Sequence, residues 1–77
     1  MAFEKLREML RLDDAITDAE ARKRHYESRL AEITNRWRVP EATRRMLIER
    51  LEADIYDTDA EIADHRRRME DLMGVGA

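Results

Sequence analysis

The sequence predicts an all-α protein, an antiparallel two-helix hairpin of coiled-coil character. Three observations carry that prediction. Gly and Pro fall only at position 40 and near the end of the chain, so nothing else interrupts a helix. Ala, Leu, Arg, Glu and Met, all good helix formers, dominate the composition. Apolar residues recur in an alternating three-and-four spacing, and no strand-like alternation competes with it.

Helix 1 is expected over about 2–38, a turn at about 39–40, helix 2 over about 40–73, and a C-terminal tail at 74–77, the whole forming one domain. In helix 1 the spacing runs Met9, Leu12, Ile16, Ala19, Tyr26, Leu30, Ile33 and Trp37, interrupted only by Lys23. In helix 2 it runs Ile48, Leu51, Ile55, Thr58, Ile62, His65, Met69 and Leu72. Pro40 suits a first helical turn, Glu41 beside it suits the positive end of the helix dipole, and Gly74 stands where a helix-ending glycine belongs. Val75 would then fold back on Met69.

A straight, kinked helix is the competing reading. It would place Pro40 on the apolar seam, where proline costs about 3 kcal/mol. Folding the chain back instead pairs Ile33 with Ile48, Leu30 with Leu51, Tyr26 with Ile55 and Ile16 with His65. The small Ala19 meets the large Ile62, and Lys23 meets the polar Thr58. Charges beside the seam agree: Arg22 falls by Glu61, Arg29 by Asp54 and Asp13 by Arg66. Arg66, Arg67 and Arg68 lie opposite Asp13 and Asp14, and Arg45 can reach Glu49 one turn on.

Composition narrows the function classes. The chain has 77 residues, is 43% charged and 5% aromatic, and has no cysteine, so disulfides and cysteine-based metal sites are excluded. The net charge of -3 gives no general attraction to nucleic acid. No apolar run approaches a membrane span, and the first residues lack the apolar core of a signal peptide. A cytoplasmic protein is expected, or a component of an assembly built there, such as a virion.

Nothing points to catalysis. There is no glycine-rich phosphate loop, no Gly-x-Ser-x-Gly and no His-Glu-x-x-His. His25 and His65 fall on different faces. No catalytic residue, metal ligand, cofactor or small-molecule substrate is expected.

Association is the expected role, because a hairpin about 50 Å long buries only one narrow stripe per helix. Three surfaces are candidates. At the open end Phe3, Leu6, Leu10, Met73 and Val75 form an apolar patch beside the seam. At the turn Arg36, Trp37, Arg38, Arg44 and Arg45 collect positive charge around an aromatic ring, with Trp37 facing Arg44. In the middle Glu49, Glu52 and Asp59 form an acidic face, with Glu20 opposing Asp59 and Arg24 available to neutralise Glu20 and Glu27. The expected function is a non-enzymatic interaction or assembly module, such as a phage or regulatory component, that self-associates into a bundle or docks on a larger complex. The alternatives are a small nucleic-acid-binding hairpin using the turn, or an inhibitor that occludes a basic surface through its acidic face.

Overall fold

The structure, a computed structural model, describes residues 2–36 and 38–74. Two α-helices of equal length, α1 (Ala2–Thr34) and α2 (Glu41–Met73), pack against each other as an antiparallel hairpin. The molecule measures 57 × 19 × 12 Å, so it is one helix thick.

The apolar spacing of the sequence becomes the packed seam. Among the described residues, every seam position named above is buried or half-buried. Leu12, Ala19, Ile33, Thr58 and Ile62 are the most enclosed, and Ala19 has no exposed surface at all. Ala19 and Ile62, expected to meet in one layer, are both among these enclosed residues. Thr58 joins the seam without stranding its hydroxyl, which donates to the Asp54 carbonyl at 2.7 Å. That local bond lets a β-branched polar side chain sit among apolar neighbours at little cost.

The turn is longer than the sequence suggests. α1 stops at Thr34, not at residue 38, and α2 begins at Glu41 with Pro40 as its N-cap. The Arg36 amide reaches back only three residues, to the Ile33 carbonyl at 3.1 Å, so the helix tightens and ends. Thr34 and Asn35 are weak helix formers, and Val39 precedes a proline, which disfavours helical backbone there. Pro40 takes an extended ψ of 139°, and its carbonyl accepts the first bond of α2 from the Arg44 amide at 2.9 Å. Arg36 and Arg38 therefore belong to the turn and not to the last turn of α1. Trp37, and with it the expected stacking on Arg44, lies outside the described residues.

The other end of α2 matches expectation. Gly74 adopts φ 75°, ψ 14°, the left-handed conformation that glycine reaches without strain. Its amide donates to the Asp71 carbonyl at 3.2 Å and closes the helix. Val75, expected to fold back on Met69, lies outside the described residues.

Candidate docking face

The charged residues that line the seam pair differently from the simplest reading. Arg22 does meet Glu61, at 2.8 Å. Arg29 and Asp54, by contrast, form no ion pair with each other. Arg66 reaches Glu20 at 3.0 Å and not Asp13. Arg67 and Arg68 turn to Asp64 on their own helix, at 3.3 and 3.2 Å, and not to Asp13 and Asp14. The ion pair at Arg45 is with Glu41, at 3.5 Å, and not with Glu49. Long arginine side chains find several carboxylates within a turn, and such exposed pairs differ by only tenths of a kcal/mol.

Lys23 is the charged residue of the α1 seam. Its stem lies along the seam and its ammonium emerges beside Asp59, 2.7 Å from the carboxylate. The hydrogen bond to Asp59 and the charge of Asp59 hold the Lys23 pKa above its ordinary value. A folded-state pKa raised above the unfolded one contributes stability that is complete at neutral pH and is lost as pH rises through the raised value. Lys23→Met should therefore lack this contribution at neutral pH. In strongly alkaline solution the difference should shrink, as measured by urea unfolding at matched protein concentration. A difference that persists unchanged at high pH would argue that the stem, not the ammonium, supplies the contribution.

These pairings remove part of the acidic face. Glu20 is engaged by Arg66 and Asp59 by Lys23, so the expected opposition of Glu20 and Asp59 is neutralised within the hairpin. Arg24, expected to pair with Glu20 and Glu27, makes no ion pair among the described residues. Glu49 and Glu52 likewise have none, and with Glu27 they remain as the acidic surface.

The turn loses charge in the same way. Arg36 pairs with Glu32 at 3.4 Å, Arg45 pairs with Glu41, and Arg44 is half-buried. Arg38 has an interaction of its own. Two of the cluster's four arginines thus have carboxylate partners one helical turn away along the chain.

The open end is different. Phe3 is 81% exposed, Leu10 58%, Leu6 53% and Met73 50%. Val75, the fifth predicted member of the patch, lies outside the described residues. Leu6, Glu20 and Glu27 share one flank of α1, and Met73, Asp59 and Glu52 share the matching flank of α2. Phe3, Leu10, Arg24 and Ala31 stand just outside that flank on α1, and Tyr56, 75% exposed, does so on α2. The apolar patch and the acidic residues thus lie on one broad side of the hairpin, which the sequence reading treats as separate surfaces.

Toward the turn this same side carries a shallow groove. Leu30, Ala31 and Ile55 line it, with Glu27 and Glu52 beside them. A second, charged depression follows toward the middle, bounded by Glu20, Arg24, Asp59 and Arg66. The groove is open to solvent and is lined by residues of both helices, so it exists only once they are packed. Among the described residues no group of His, Cys, Asp or Glu could hold a metal ion, and no helix is long and apolar enough to cross a membrane. Comparison with known proteins adds no relative: no family model, no curated protein and no solved structure matches the chain.

Proposed function

We propose that the chain is a non-enzymatic interaction or assembly module, working in the cytoplasm or in a particle built there. It completes its core by covering its open-end face with another protein surface. The exposure of Phe3, Leu6, Leu10 and Met73 on one side of a molecule one helix thick carries the reading. Contiguous exposed aromatic and aliphatic side chains of this kind favour a protein partner over solvent. The alternatives have less support: two of the turn arginines, Arg36 and Arg45, are engaged by Glu32 and Glu41, which weakens the case for a phosphate-gripping finger, and Asp59 is committed to Lys23, which thins an acidic surface aimed at a basic target.

The test is the double variant Leu6→Asp with Leu10→Asp. Its complexes, recovered from the native cell by an affinity tag and sized by sedimentation, should be lost, while circular dichroism still shows helix. Retention of the parent's complexes by the variant would refute the reading.

A further inference from the structure

We infer that the broad face receives a second copy of the chain, inverted end for end, so that the Phe3, Leu6, Leu10 and Met73 patch of each copy covers the Leu30, Ala31 and Ile55 groove of the other. The inference rests on the interaction reading above and names the partner. Its first support is shape: the same side of the hairpin carries an apolar projection at one end and an apolar-floored groove at the other. A two-fold axis lying across the helices at mid-length exchanges the two ends and stacks α1 on α1 and α2 on α2. Leu6 then falls at the level of Leu30 in the second copy, Leu10 at Tyr26, and Met73 beside Ile55. Near the axis stand the small residues Thr17 and Ala63, so the helices can approach closely there.

Charge supplies the second support. In the inverted arrangement Asp13 comes level with Arg24 of the second copy, and neither has an ion pair among the described residues of its own hairpin. Arg7, also without an ion pair among the described residues, comes within a turn of Glu27 of the second copy. Glu70 comes level with the exposed Tyr56 hydroxyl. Stacking the copies with like ends together would instead set α1 on α2 and bring Glu27 of each copy against Glu49 and Glu52 of the other, which like-charge repulsion opposes. The broad side is large enough for such an interface if most of it is covered: its outline of 57 by 19 Å is on the order of 1,000 Å², against the roughly 800 Å² per partner of a standard stable interface.

The chain has no cysteine, so single cysteines report the geometry cleanly. Wild type should sediment at twice the chain mass. Ala63→Cys should oxidise to a covalent dimer across the axis, and Phe3→Cys, at the far ends, should not. Arg24→Asp should weaken the dimer at least tenfold, as should Asp13→Arg, and combining the two should restore it. A wild-type chain monomeric at every accessible concentration overturns the proposal, while complexes with other proteins that depend on Leu6 and Leu10 would leave the interaction reading standing. A dimer in which Phe3→Cys cross-links and Ala63→Cys does not overturns the inverted arrangement. So does a dimer indifferent to the Arg24 and Asp13 exchange. A monomeric chain whose complexes also ignore Leu6→Asp with Leu10→Asp overturns both readings together.

Discussion

Ile62→Ala is expected to destabilise the hairpin by about 2–5 kcal/mol. Ile62 is 6% exposed, and Ala19, its expected partner across the seam, is fully enclosed. Truncation leaves a void opposite a methyl group that cannot move to fill it, so the transfer and cavity contributions add. Small domains have only about 5–15 kcal/mol of total stability, so a change of this size takes much of it. Ala19→Leu tests the layer from the other side, where overpacking should cost about 1–3 kcal/mol. Met46→Ala is the control: Met46 is 70% exposed at the turn end and should change stability by no more than about 0.5 kcal/mol. Urea unfolding followed by far-UV circular dichroism, at matched protein concentration because association would add to stability, measures all three. If Ile62→Ala is no worse than Met46→Ala, the core does not centre on this layer.

The seam was legible in the sequence because burial along a helix pair is periodic, and the period survives single exceptions. Lys23 and Thr58 interrupt the apolar pattern, yet both sit on the seam, one by extending its ammonium to Asp59 and the other by bonding its own helix backbone. The helix ends were less legible. Pro40 marks the turn, but the chain leaves α1 before it, where Thr34 and Asn35 offer little helical preference and the reversal itself takes residues. The charge partners were least legible, because Arg66 takes Glu20 where Asp13 is expected, and the energies that separate such exposed pairs are small. The candidate face was half visible. Periodicity places Leu6 and Met73 at the open end, but recognising that the groove at Leu30 and Ile55 opens on the same side requires the packed helices. What the face binds is a property of a second surface, which no periodicity within one chain encodes.

His65→Leu is expected to stabilise the protein by about 1–3 kcal/mol. His65 holds a seam position on α2, and its side chain is only 19% exposed. Its Nδ1 is buried without a hydrogen-bond partner, and its Nε2 lies 3.7 Å from the Glu61 carboxylate, beyond hydrogen-bonding length. The ring therefore carries a desolvated polar atom that no neighbour satisfies. Leucine keeps much of the volume and removes that atom. Glu61 does not lose its partner in the exchange, since Arg22 holds it at 2.8 Å. For a chain of this length the gain should appear as a rise in melting temperature of about 4–8 °C per kcal/mol. His25→Leu, on the exposed face of α1, should leave the melting temperature nearly unchanged and separates seam burial from a general effect of removing histidine. A fall in melting temperature for His65→Leu would mean that the ring is bonded in solution. The layer would then rank with Lys23 and Thr58 as a polar element that fixes the register of the two helices.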